Sequence, residues 1–120
     1  MRRLLIISTL AALGSCASEE QAAADKLKSQ VAATMKDPES ARFSSLKIDA
    51  ATLCGEVNAK NSFGGYEGAE RFWAIDGTVQ LRSRAERADD LTANTPSSSN
   101  FARKFDATWE ACQRAGIAVS

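Results

Sequence analysis

Asp76-Gly77 stands between two apolar runs, Arg71-Phe-Trp-Ala-Ile75 and Thr78-Val-Gln-Leu81. No other feature restricts the fold so much, because Asp-Gly between such runs is the strongest short-range mark of a β-hairpin. A two-residue turn sets the register: Ile75 opposite Thr78, Ala74 opposite Val79, Phe72 opposite Leu81. Side chains alternate along a strand, so Phe72, Ala74, Val79 and Leu81 share one face. Trp73, Ile75 and Gln80 take the other.

More strands are expected upstream. Thr52 to Lys60 alternates, with Leu53, Gly55, Val57 and Ala59 facing one way and Thr52, Cys54, Glu56, Asn58 and Lys60 the other. Arg42 to Ile48 has strand character through Phe43, Leu46 and Ile48, and Asp49-Ala50-Ala51 is the turn between the two. Further back, Ala24, Leu27, Val31 and Met35 form a helical stripe in a segment rich in Ala, Lys and Gln. Ser18-Glu-Glu-Gln21 matches a capping box. Asp37-Pro38 stops the helix, because the residue before proline avoids the α region. This predicts a helix over residues 19–36, followed by a turn at Asp37–Ser40.

Ser83 to Asn100 shows no periodicity, and Asn94-Thr-Pro-Ser-Ser-Ser-Asn100 reads as an irregular connection. A second helix is predicted from Phe101, capped by Ser99 or Asn100. Phe101, Phe105, Trp109 and Cys112 form its stripe, and Gly116 suits the C′ position. The expected class is α+β, in the order α-β-β-β-β-α. A small antiparallel sheet of about four strands packs with an N-terminal and a C-terminal helix.

The start of the chain has a different composition. Arg2 and Arg3 precede an uncharged stretch, Leu4 to Leu13, and then Leu13-Gly14-Ser15-Cys16. The stretch is about half of the roughly 20 apolar residues needed to cross a bilayer, and fits the apolar core of a signal peptide. Leu-Gly-Ser-Cys resembles the lipobox of bacterial lipoproteins. The resemblance implies cleavage before Cys16 and diacylglycerol on its sulfur. Residues 1–15 are then a signal peptide, and residues 16–120 one small domain facing the periplasm. Several acyl chains together hold a protein stably on a membrane. In the enterobacterial sorting rule an Asp after the lipidated Cys retains a lipoprotein in the inner membrane. Ala17 stands there, which favours the outer membrane.

With Cys16 lipidated, Cys54 and Cys112 remain, and an even pair in an oxidising compartment points to a disulfide. Closing a loop of about 58 residues contributes roughly 4 kcal/mol in the chain-entropy model. The chain has no histidine, which excludes a Cys–His pair, a His-based triad and His metal ligands. Glu56 and Glu67 form a conceivable carboxylate pair of the glycosidase kind, but nothing sets their separation and surface charge accounts for both. No enzyme activity, cofactor or metal is expected. Loss of Arg2 and Arg3 takes the formal charge from zero to −2. Arg82, Arg84 and Arg87 are offset by Glu86, Asp89 and Asp90, so no nucleic-acid partner is expected.

Asn58, Lys60 and Asn61 lead into a glycine loop, Asn61 to Gly68, that carries Phe63 and Tyr66. No Gly-Lys-Ser/Thr ends it, so it is not a P-loop. Amides, a lysine and exposed aromatics suit a glycan or a peptide. Alternatively, the Asn residues cap strand ends while Phe63 and Tyr66 close one end of the core. Two stretches, Asp37-Pro-Glu-Ser-Ala-Arg-Phe43 and Cys54-Gly-Glu-Val-Asn-Ala-Lys-Asn-Ser-Phe-Gly-Gly-Tyr66 with Arg71-Phe72, resemble a pattern found in an uncharacterised family of small bacterial envelope and phage-associated proteins. That resemblance implies a common fold and no known activity. Tyr66 followed by Trp73 is similar to the Tyr…Trp motif of membrane-bound lysozyme inhibitors. The Lys-Gly expected after it is missing, and those inhibitors are β-barrels, whereas two helices are expected here. The function expected is contact with a protein or envelope partner, made by a domain tethered to the membrane by lipid.

Overall fold

The computed structural model describes residues 15–94 and 100–120, with side chains from residue 19 onward. The expected signal segment up to residue 14, the side chain of Cys16 and the expected cap Ser99 lie outside the described residues.

The hairpin forms in the expected register. β3 (Glu70–Ile75) and β4 (Thr78–Leu81) pair Phe72 with Leu81, Ala74 with Val79 and Ile75 with Thr78. In the turn only Gly77 is left-handed, at φ 78. A side chain from the N-terminal helix α1 (Ser15–Ala33) ties that turn down. Gln30 donates from Nε2 to Asp76 Oδ1 at 2.8 Å, and its Oε1 accepts from Gly77 N at 3.2 Å. The Gln30 hydrogen bond, with Lys26 at 3.3 Å, holds the Asp76 carboxyl below the usual carboxylate range.

β1 (Arg42–Asp49) and β2 (Thr52–Asn58) complete the meander, and a short β5 (Ile117–Ala118) adds to the β1 edge. The antiparallel order is β4-β3-β2-β1-β5. One cross-strand row reads Ile48, Leu53, Ala74, Val79, and the adjacent row, on the opposite face, reads Lys47, Cys54, Trp73, Gln80. A bulge interrupts β1 between Ser44 and Lys47, with Ser45 at a left-handed φ of 52. Gly55 sits opposite the bulge, where a Cβ would meet Leu46 Cδ2 at 2.8 Å and Ser44 O at 2.9 Å.

The apolar face packs on α1. Ala24, Leu27 and Val31 are buried against Leu46, Ile48, Leu53, Val57, Phe72, Ala74 and Leu81. The opposite face is covered by α3 (Phe101–Ala115). Cys54 and Cys112 form the disulfide expected from the sequence, Trp73 lies against Phe105, and Trp109 Nε1 donates to Gly55 O at 3.0 Å. The α+β class and its antiparallel sheet are as expected, with helices on both sides of the strands.

Several local expectations need correction. α1 is already helical at Ser15, so Ser18 does not open it. Gln21 turns away from any capping box: its Nε2 donates to Ser120 O at 2.6 Å and its Oε1 accepts from Ser120 N at 3.1 Å. The α-helix stops at Ala33, and tight i−3 bonds from Thr34 and Met35 lead to a 3₁₀ turn at Pro38–Ser40. A further helix, α2 (Arg82–Thr92), occupies the start of the segment read as irregular. Its Arg82 pairs with Glu86 and, at 2.8 Å, with Asp106 of α3. Chiefly through that hydrogen bond, Asp106 holds the guanidinium more firmly protonated than usual.

The α3 cap also differs. Asn100 makes no side-chain cap bond. Asp89 of α2 takes the role, accepting from Phe101 N at 2.6 Å and Ala102 N at 3.0 Å. Gly116 is extended, at φ −74, rather than left-handed. Glycine is required there by proximity, since a Cβ would meet Cys112 O at 2.6 Å and Lys47 Cβ at 2.9 Å.

Candidate functional site

The Asn61–Gly68 loop is built from its own hydrogen bonds. Lys60 and Tyr66 form an antiparallel bridge at its neck. Inside it, Asn61 N donates to Gly65 O at 2.8 Å and Gly64 N to Asn61 O at 3.1 Å. The Asn61 side chain copies a backbone turn, as Asx residues do. Its Oδ1 accepts from Phe63 N at 2.9 Å and Gly65 N at 3.2 Å, and its Nδ2 donates to Glu67 Oε1 at 3.2 Å. Gly64 supplies the left-handed φ of 80 that reverses the chain. Asn58 Oδ1 accepts from Gly68 N at 3.2 Å and closes the base. Asn61 thus uses both its amide atoms within the loop, and Asn58 uses its Oδ1 at the base.

The two aromatics of the loop have opposite environments. Tyr66 is half-buried, and its hydroxyl donates to Ser40 O at 3.0 Å. Arg42 lies over its ring at 4.3 Å and Lys60 Nζ at 5.9 Å. Lys60 N donates to Ser40 Oγ at 2.8 Å, and Ser40 Oγ donates to Asp37 O at 2.7 Å. Tyr66 thus fastens the loop to the turn that follows α1. Phe63 packs on nothing comparable and is 97% exposed.

Of the predicted site residues, the structure brings Asn58, Lys60, Asn61 and Tyr66 together as a frame and sets Phe63 apart at the tip. Lys60 and Asn61 also border a polar cleft of about 280 Å³, shared with Lys36, Arg84, Arg87 and Glu67. Glu70 lines it as well, but its Oε1 already accepts from Ser83 N at 2.8 Å. The cleft presents more positive than negative charge. Sequence reasoning missed Ser40 and Arg42, which hold Tyr66, and the two α2 arginines of the cleft. The Asp37-Pro-Glu-Ser turn was the only signal pointing to Ser40, and it carries no mark of the partner that Ser40 holds.

Tyr66 and Trp73 have separate surroundings: Tyr66 beside the 3₁₀ turn, Trp73 beneath α3 with its ring 6.5 Å from that of Phe105. Among the described residues no group of acidic, Cys or His side chains is arranged to hold a metal ion. No described helix is long and apolar enough to cross a membrane. The site and the fold define a three-layer α+β domain with an internally hydrogen-bonded, aromatic-tipped loop. No family model matches the chain, and comparison with curated proteins and with solved structures finds no match.

Proposed function

We propose that this chain is a lipid-tethered envelope domain that acts by binding a protein, with the Asn61–Gly68 loop as its contact surface and Phe63 as the anchor. The exposure of Phe63 carries this reading. A phenyl ring that is 97% exposed stands on a loop whose amides are already satisfied, so binding it costs little ordering entropy. Aromatic side chains of this kind dominate interface energetics. Asn61, with both amide atoms used inside the loop, and Asn58, with its Oδ1 used, leave few polar groups for a glycan, which favours a protein partner. The neighbouring cleft supports a partner with acidic groups around an apolar socket.

The tether rests on Arg2-Arg3, the short apolar stretch and Leu13-Gly14-Ser15-Cys16. α1 has 19 residues. At 1.5 Å per residue it spans about 28 Å. Cys16 is at its start, whereas the loop is fastened to the turn beyond its end. A lipid on Cys16 then leaves the loop well away from the anchor, on the side open to a partner.

Replacing Phe63 with a photo-crosslinking phenylalanine analogue tests the contact in intact envelope. A discrete protein adduct, absent when the analogue replaces Ser29, is expected. No adduct, or the same adducts from both positions, removes the claim. Mass spectrometry of the membrane-bound protein tests the tether, and an unmodified Cys16 thiol overturns it.

A further inference from the structure

We infer that the space between α2, α3 and the β3–β4 hairpin is a binding site for a small amphipathic anion, an apolar body bearing a carboxylate. This inference is independent of the Phe63 contact; of its residues only Arg84 also borders the cleft beside that loop. The space measures about 340 Å³. Trp73, Ala85, Phe101 and Phe105 give it apolar walls, and Phe101 remains 39% exposed there. Small-molecule sites have this character: apolar walls with a few placed polar groups.

The polar groups fix the sign of the ligand. Arg84 and Lys104 both line the space, and no carboxylate does. Neither cation forms an ion pair among the described residues, whereas nearby Arg82 is doubly paired with Glu86 and Asp106. A third group also lacks a partner. The Trp73 indole nitrogen is buried and has no acceptor among the described residues, unlike Trp109, whose N–H reaches Gly55 O at 3.0 Å. Buried donors are normally satisfied, and the Trp73 ring that carries this one lines the space, so its N–H reports on what fills it. Two cations without an ion-pair partner and aromatic walls together match an aryl or alkyl carboxylate.

The test uses the whole domain with its disulfide intact, labelled with ¹⁵N. The probes are 4-phenylbutyrate, the neutral 4-phenylbutanol and butyrate, which lacks the aromatic body. Phenylbutyrate should shift the Trp73 indole N–H and leave that of Trp109 in place. Phenylbutanol and butyrate should both bind more weakly. Lys104→Gln should weaken phenylbutyrate by about tenfold, the loss of one charge-assisted contact, without affecting phenylbutanol. Ala88→Trp, which fills the space, should abolish the shift while the amide spectrum stays folded. An unmoved Trp73 signal at millimolar phenylbutyrate overturns the inference. So does equal binding of acid and alcohol, or a shift that survives in Ala88→Trp.

Discussion

Tyr66 and Phe63 are two residues apart and should respond in opposite ways to truncation. Tyr66→Phe deletes only the hydroxyl that donates to Ser40 O at 3.0 Å, a net loss of about 1 kcal/mol. Tyr66→Ala also removes the ring beneath Arg42, at 4.3 Å. An exposed cation–π contact adds about 0.5–1 kcal/mol. The ring is only half-buried, so the full core truncation of about 3–5 kcal/mol is a ceiling. The expected total for Tyr66→Ala is roughly 2–3 kcal/mol. Phe63→Ala removes a ring that touches almost nothing, and its effect should stay within about 0.5 kcal/mol. Urea melts under non-reducing conditions measure both. In a domain of this size each kcal/mol moves Tm by about 4–8 °C, so thermal scans separate the two variants clearly. Partner adducts, captured by a photo-crosslinker at a neighbouring loop position, should vanish with Phe63→Ala. They should persist with Tyr66→Phe at a temperature where it is folded. Equal destabilisation by Phe63→Ala and Tyr66→Ala would refute the division of the loop into frame and tip.

Three further outcomes follow from the fold. Replacing Cys54 and Cys112 together by Ala should cost about 2–5 kcal/mol, read by urea denaturation, and an unchanged midpoint would contradict the stapling role of the bridge. Asp89→Ala should cost about 1–2 kcal/mol, because it removes the acceptor for two N–H groups at the start of α3. Asn100→Ala should cost far less in the same melts. Asp76, with its carboxyl held below the ordinary value of 3.8, contributes stability that is present above that value and lost as pH falls through the lower folded one. The stability gap between the protein and Asp76→Asn should therefore close on acidification, and an NMR titration midpoint at or above 3.8 would count against it.

What could be read in advance was whatever depends on neighbours in sequence. The Asp76-Gly77 turn dictated which residues of β3 and β4 face each other, and alternation in Thr52–Asn58 put Leu53 and Val57 opposite Cys54. α2 was hidden because a helix shows itself through an apolar stripe, and α2 buries only Ala85. Its composition of Arg, Ala and Glu favours a helix, but what holds it is Asp106, 24 positions from Arg82. The same holds for the cap of α3. Asn100 is the right residue type next to the helix, yet Asp89, 12 positions before Phe101, reaches the Phe101 amide. At the loop, the Asn residues could be read as caps or as ligands. In the fold they accept from Gly65 and Gly68 N–H groups that only the closed loop brings within reach. The Tyr66–Ser40 bond spans 26 positions and has no local signature.

The two covers of the sheet are held by different physics, and this bears on where a ligand could lodge. α1 buries Ala24, Leu27 and Val31 on a sheet face of Ile48, Leu53, Val57, Phe72 and Ala74, and only exposed polar bonds such as Gln30 to Asp76 are added at its rim. α3 meets a face whose central row is Lys47, Cys54, Trp73 and Gln80, and it buries only Phe105 and Cys112. So little apolar area cannot dock a helix firmly, and small domains compensate with covalent staples. Here the staple is the disulfide, aided by directional bonds: Trp109 to Gly55 O at 3.0 Å, Lys47 Nζ to Gln113 O at 2.8 Å, Gln113 Nε2 to Ser45 O at 2.9 Å. A helix pinned in this way does not depend on close packing along its whole length. The fold can then tolerate an open, aromatic-walled space beside Trp73 and Phe105, on the very side where burial contributes least to holding the layers together.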